Sequence, residues 1–409
     1  MKIKIQRLQT WNIIFDINVL LCSINFFMTS NPYSAFHSGK AGLFSSYISS
    51  SFKINPSVLL LISLIIISGY EIIKYKKIKC ANIGICFCFL QIIVSCINGG
   101  MIDASKTVIY NIIVIIFVSI LVSYQHHEKI ICNDNYMKKL FRLIVVLLII
   151  GIVCALLYPN RYGIINLDFS RTTRGEITYW LIIGLQIWGI IISLVMYYRY
   201  HKKKFLIVPV AIMFFQLAFA NRMALIVITI PIMIYVLYLG NGKEKLLMIL
   251  CGVGVIAFLG NEILNIFFLG GQSDIATIFN GRLPLWSFYI SELKKHLLCG
   301  GGPNLSDSSY YLGAAVSEIG VLKWFGEYGI IVGTFQVTCI ITAFVKALNI
   351  LKFTSKKKVI DYTDLIMSFY YISCFVPFLL ESHGRILNLT DFFAWFSMYY
   401  LLEKKKEKN

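Results

Sequence analysis

Long, uninterrupted apolar runs dominate the sequence. About twelve of them approach the roughly 20 residues that a helix needs to cross a hydrocarbon layer. They lie near 11–29, 57–73, 81–97, 107–124, 140–158, 178–198, 204–220, 222–239, 246–268, 319–345, 362–380 and 388–402, bounded by charge clusters or by Gly, Pro and Asn. In lipid such a run satisfies its own backbone hydrogen bonds only as a helix, and the lack of period-two alternation excludes an outer-membrane barrel. The expected fold is therefore all-α: a polytopic transmembrane helical bundle of about twelve spans. Residues 1–409 are read as a single integral membrane domain. The first run has no small-residue cleavage site behind a short apolar core, so it is expected to stay as an anchor.

Composition narrows the function classes. With 58% hydrophobic and 14% charged residues in a chain of 409, about twelve spans take up roughly 240 residues, and the loops have no room for a soluble catalytic domain. No glycine-rich phosphate fingerprint follows a plausible strand, which removes Rossmann and P-loop enzymes. The eleven cysteines are odd in number, and Cys22, Cys86, Cys88, Cys154, Cys251, Cys339 and Cys374 sit inside apolar runs, where they read as small core hydrophobes. Cys86 and Cys88 fall on different helix faces and do not form a zinc pair. No metal or other cofactor is expected.

Basic residues orient the chain. With the N-terminus inside, the clusters at Lys74–Lys79, Lys138–Arg142, Arg199–Lys204, Lys243–Lys245, Lys346–Lys358 and Lys404–Lys408 all fall on the cytoplasmic side, as does the C-terminus. The runs Lys202–Lys204, Lys356–Lys358 and Lys404–Lys406 read as stop-transfer charges that meet anionic membrane lipids. Topology thus accounts for most of the net charge of +18, and nucleic acid is not an expected partner.

Arginine departs from that pattern. Only six of the 29 lysines face outward in this topology (Lys40, Lys53, Lys106, Lys294, Lys295 and Lys323), but six of the nine arginines do: Arg161, Arg171, Arg174, Arg222, Arg282 and Arg385. A guanidinium is a planar, permanently charged fork that holds phosphate or carboxylate at two points. Its concentration on one side points to an anionic ligand approached from the outer leaflet, such as a lipid-linked diphosphate. Arg171 and Arg174 also have a structural alternative, since Asp168 and Glu176 lie beside them. Arg222 stands in Ala-Asn-Arg-Met at a tight junction of two spans, where an unpaired charge is costly.

Residues 269–318 form the longest stretch between spans, read as an extracytoplasmic loop. Within GRLPLWSFYISELKKHLLCGGGPN (281–304), Leu285, Phe288, Tyr289, Leu293 and Leu297 recur at helical spacing. The spacing predicts an amphipathic helix between Pro284 and Leu298 lying on the membrane surface and stopped by Gly300, Gly301, Gly302 and Pro303.

Gly-Arg, then Trp, a polar helix, and a glycine-rich turn ending in Pro, followed by a span reading EIGVLKWFGEYGIIVG (318–333), resembles the O-antigen ligase and Wzy-type polysaccharide polymerase superfamily. The Asn221-Arg222-Met223 junction is similar to that family's small-residue-Arg motif. The similarity covers roughly 205–335, and the layout of spans agrees along the chain. It implies a GT-C-like glycosyltransferase of the bacterial cytoplasmic membrane, acting on its outer face. The donor so implied is an undecaprenyl-diphosphate-linked oligosaccharide, polymerised into O-antigen or capsular polysaccharide, with a chain-length regulator as a further partner. Outward arginines bind the diphosphate in such families, which maps onto Arg222 and Arg282, with Arg385, Arg171 and Arg174 as further candidates. Two departures matter. Where ligases carry a His about nine residues before Glu-x-Gly, this chain has Glu318, counted back from Glu327. That favours a polymerase over a ligase. The spacing of Arg, ten residues, then Gly does not occur at Arg161, Arg171, Arg174 or Arg282.

Such a reaction needs charge stabilisation on the departing diphosphate, positioning, and a base for the attacking hydroxyl. Glu318, at the outer mouth of a span, is the first candidate base; its alternative is a solvated acid at a helix start. His383, in Glu381-Ser382-His383-Gly384-Arg385, is the second, with a hydrogen-bonded turn residue as its alternative. His296 reads as a surface residue of the amphipathic helix, and Glu327 as an i,i+4 partner of Lys323. Trp286 and Trp324 could stack on sugar rings or anchor the chain at the interface. A ligase, or in another class a lipid-linked oligosaccharide flippase, is the competing function. The absence of an internal repeat and the single long outer loop favour an enzyme working on one face.

Overall fold

A computed structural model describes residues 61–73, 81–97, 105–128, 137–149, 181–218, 222–250, 282–302 with Leu305, 320–357, 361–380 and 389–404, apart from one or two residues at a time within 61–73, 137–149 and 222–250. All the regular structure among them is helical. The main elements are α1 (Asn82–Ile97), α2 (Ser105–Glu128), α3 (Leu181–Tyr200), α4 (Ile207–Ala218), α5 (Arg222–Tyr238), α6 (Arg282–Lys295), α7 (Val321–Lys357), α8 (Tyr362–Leu380) and α9 (Leu389–Glu403). The apolar runs at 81–97, 222–239, 362–380 and 388–402 agree with α1, α5, α8 and α9 to within a residue or two. By contrast α7 continues to Lys357, well beyond the expected 345. Val321–Ser355 is long and apolar enough to cross a bilayer by length and composition, with a mean hydropathy of 1.8, and α1 and parts of α2, α3 and α5 are shorter apolar helices. The expected span at 11–29 lies outside the described residues.

Burial sorts these helices into an interior set and a peripheral set. Every described side chain from Thr363 to Cys374 on α8 and from Phe393 to Leu402 on α9 is buried, as is Ile187–Met196 on α3. A helix covered all round sits inside a bundle. α8 accordingly packs against α3, α5, α7 and α9, with the Phe344 and Phe375 rings stacked 4.0 Å apart across α7 and α8. α1 is peripheral and inverted relative to a water-facing helix. Gln91 and Ser95 point into the bundle at 1% and 0% exposure, while Phe89 and Ile97, each 65% exposed, point out with Ile85 and Ile93. Cys86 is exposed and Cys88 buried, on different faces as the spacing predicts.

One end of the bundle gathers helix termini and charge. Asp364, near the start of α8, accepts a 2.8 Å bond from the Tyr400 hydroxyl and pairs with Lys404. The Lys346 ammonium donates to the Leu402 carbonyl at 2.6 Å, closing the C-terminus of α9 where the helix dipole favours a cation. Glu403 accepts from the Ile83 amide at 3.1 Å, an acid at the N-terminus of α1. The Arg199 guanidinium lies 4.6 Å from the Tyr362 ring. Beyond α5, Asn241 and Glu244 form a reciprocal capping box, with the Glu244 amide donating to Asn241 Oδ1 at 2.9 Å and the Asn241 amide to Glu244 Oε2 at 3.0 Å. The Tyr197 hydroxyl donates to Glu244 at 2.6 Å and joins this corner to α3. The ends of α3, α5 and α9 and the starts of α1 and α8 therefore share one end.

Candidate functional site

The opposite end is built around the first turns of α7. In α6, Tyr289 is buried against Leu305, with Trp286, Phe288 and Leu322 packed around the pair. Its ring meets Gly326 of α7, where a Cβ would come within 3.2 Å of three ring carbons. α6 thus leans on α7 through its aromatic face. The helix ends at Lys295 rather than at the expected Leu298, and Leu297 and Leu298 are exposed. His296 is exposed, as expected, and its carbonyl accepts from the Gly300 amide at 2.7 Å. Gly300 and Gly302 have φ of 68° and 93°, a region open to glycine and strained for other residues.

α7 is broken at Gly329, whose φ of 74° and ψ of −172° belong to a region essentially restricted to glycine. A break frees backbone groups from the i→i−4 ladder, and buried groups must find other partners. Here the turn supplies them. The Gly301 amide donates to the Gly326 carbonyl at 2.7 Å, the Gly302 amide donates to the Glu327 carbonyl at 3.0 Å, and the Ile330 amide donates to the Leu297 carbonyl at 2.9 Å. The approach is close enough that a Cβ on Gly300 would lie 2.5 Å from the Glu327 carbonyl carbon. Gly329 is the glycine of Glu-Tyr-Gly, so the Glu-x-Gly stretch and the glycine-rich turn form one unit.

Two buried charges lie at this break. Lys323 Nζ is 3.7 Å from Glu327 Oε1, at i,i+4, with side chains 6% and 4% exposed. The pairing agrees with the i,i+4 spacing, and both side chains are covered where α6 packs on α7. Trp324 is likewise interior. Its ring meets Phe87 at 5.3 Å, Tyr328 at 5.7 Å and Trp395 at 5.9 Å, which excludes sugar stacking or interfacial anchoring for it. Trp286 is half-buried on the Tyr289 cluster.

Arg222 and Arg282 are the first residues of α5 and α6, placed by their backbone alone. A helix start carries free amides and the positive end of the dipole, so both cations stand where an anion is favoured. Tyr235, late in α5, lies 6.0 Å from Tyr197 at the charged end. A helix rises about 1.5 Å per residue, so Arg222 is carried toward the end that holds the break. Glu318, His383, Arg385, Arg171 and Arg174 lie outside the described residues. Among the described residues no three His, Cys, Asp or Glu side chains gather where they could hold a metal ion.

No protein-family model matches the sequence, and no curated protein is significantly similar to it. The site's chemistry therefore rests on its own residues: a backbone junction without side chains in the way, a buried ion pair under it, and two arginines heading helices. Sequence reasoning named the arginines, the glycine-rich turn and the Lys323–Glu327 spacing. It missed the break at Gly329, although a glycine two residues after a buried acid and four before Gly333 was a visible helix-weakening signal.

Proposed function

We propose that the chain is a polytopic membrane glycosyltransferase that polymerises undecaprenyl-diphosphate-linked oligosaccharide repeats on the outer face of the bacterial cytoplasmic membrane. The membrane part of this reading draws support from α1, whose Gln91 and Ser95 point inward and whose Ile85, Phe89, Ile93 and Ile97 point outward; water as the surrounding solvent favours the reverse. Collection of Arg199, Lys346 and Lys404 at one end agrees with a cytoplasmic face rich in cations.

The single observation that carries the enzymatic reading is the docking of Gly301 and Gly302 on Gly326 and Glu327. It joins the two stretches on which the resemblance rests, the Gly-Arg-to-Pro loop and the Glu-x-Gly helix, into one unit. In the proposed reaction a hydroxyl of one repeat attacks the anomeric carbon of the growing chain. The new C–O bond forms as the bond to the diphosphate breaks, its electron pair leaves with undecaprenyl diphosphate, and the hydroxyl proton passes to a base, Glu318 or His383. Arg222 and Arg282 stabilise the charge on the leaving diphosphate, with Arg385, Arg171 and Arg174 as further contacts.

Deletion of the gene tests this. Single repeat units on the surface acceptor in place of a polysaccharide ladder are expected; loss of even the one-unit product favours a flippase or ligase instead.

A further inference from the structure

We propose that the Gly329 break and the Gly300–Gly302 turn are a clamp that sets where α6 lies on α7, making Gly300 and Gly329 positioning residues for the arginine at the head of α6. The inference rests on the polymerase reading, since it is that reaction which needs Arg282 held in place.

Three features carry it. First, the junction is made of backbone. Its three hydrogen bonds, of 2.7, 3.0 and 2.9 Å, use groups that an intact helix would keep for itself. An unbroken α7 could not offer the Gly326 and Glu327 carbonyls to the turn, so break and docking are one device. Second, the junction tolerates no side chain at its two closest points. Gly300 and Gly329 both have positive φ, and a Cβ on Gly329 would run into the Leu298 carbonyl oxygen. Third, α6 and the turn that follows it are tied to the same short stretch of α7 in two ways. Tyr289 seats on Gly326 in the body of the helix, and the turn seats on Gly326 and Glu327 just past its end. A 14-residue helix fixed at two points on one neighbour has little freedom left to swing its first residue, Arg282. Glu327, whose carbonyl accepts from the Gly302 amide, is also the partner of the buried Lys323, so any shift of the clamp is felt at that pair as well.

Misplacing a positioning group by about 1 Å can cost about a hundredfold in rate. Gly329→Ala and Gly300→Ala are therefore expected to lower the polymerisation turnover of purified protein on lipid-linked repeat by about that factor, with the protein still inserted. Gly242→Ala, at the far end where a Cβ meets nothing within 4 Å, serves as control. The clamp itself is read by a short bis-maleimide bridging cysteines placed by Leu297→Cys and Ile330→Cys in a Cys299→Ser background. Efficient bridging is expected with Gly329 present and much weaker bridging with Gly329→Ala, and bridging before the assay in Gly300→Ala should restore part of the turnover. Normal turnover in Gly329→Ala, or bridging that restores none in Gly300→Ala, overturns the clamp while leaving the polymerase reading intact. A gene deletion without effect on surface polysaccharide overturns both.

Discussion

The ring of Tyr289 on α6 turns its Cδ1 edge to Gly326 of α7, in space that any other residue at 326 would fill. One absent side chain thus decides how closely the long loop's helix approaches the bundle, and the Gly301 amide bonds to the carbonyl of that same glycine at 2.7 Å.

Gly326→Ala is expected to destabilise the protein by about 1–3 kcal/mol, the usual cost of inserting a methyl group into a packed contact. Trimming the ring in the double variant Gly326→Ala, Tyr289→Leu should recover part of that loss. Thermal unfolding of the purified single and double variants measures it; simple additivity of the two single effects contradicts the contact.

Removing one partner of a buried ion pair strands the other. Lys323→Met should therefore cost about 3–5 kcal/mol, whereas Lys323→Met with Glu327→Leu should cost much less. Yield and thermal midpoint report the stability side. If the pair serves the reaction as well as the fold, the double variant stays folded and still forms no ladder.

Phe89 tests the surroundings of α1. On a water-facing surface Phe89→Asp would change stability by no more than about 0.5 kcal/mol. Facing lipid, it carries a penalty of about 2.5–3.5 kcal/mol, and the amount of protein recovered in the membrane fraction should fall sharply. Unchanged recovery and stability in this variant would falsify lipid contact for that face.

Arg222→Lys keeps the charge and removes the two-point fork. Losing one charge-assisted hydrogen bond corresponds to about tenfold or more in turnover. Insertion should be unchanged and the surface ladder should collapse toward single units; a ladder of normal length and intensity would remove Arg222 from the mechanism.

Much of the helical layout was legible because apolar run length and charge at the boundaries are local properties. The α5 and α8 limits follow from such cues, and so does the i,i+4 relation of Lys323 to Glu327. Site geometry was less legible. Trp324 reads from sequence as an aromatic near a helix mouth, yet Phe87 and Trp395 enclose it from α1 and α9, far away in the chain. Lys346 and Lys404 read as topology signals, and they also close helix ends and meet Asp364.

By itself, then, the sequence determined that the described residues are helical, where several of their helices run, and which residues carry unusual charge, because periodicity, run length and residue chemistry act within a few turns of the chain. Only the tertiary structure decided that α7 breaks at Gly329 and that Lys323 is buried. A helix break in the interior survives only if another segment bonds its freed backbone groups, and here that segment is the turn at Gly300–Gly302, more than two dozen residues earlier in the chain.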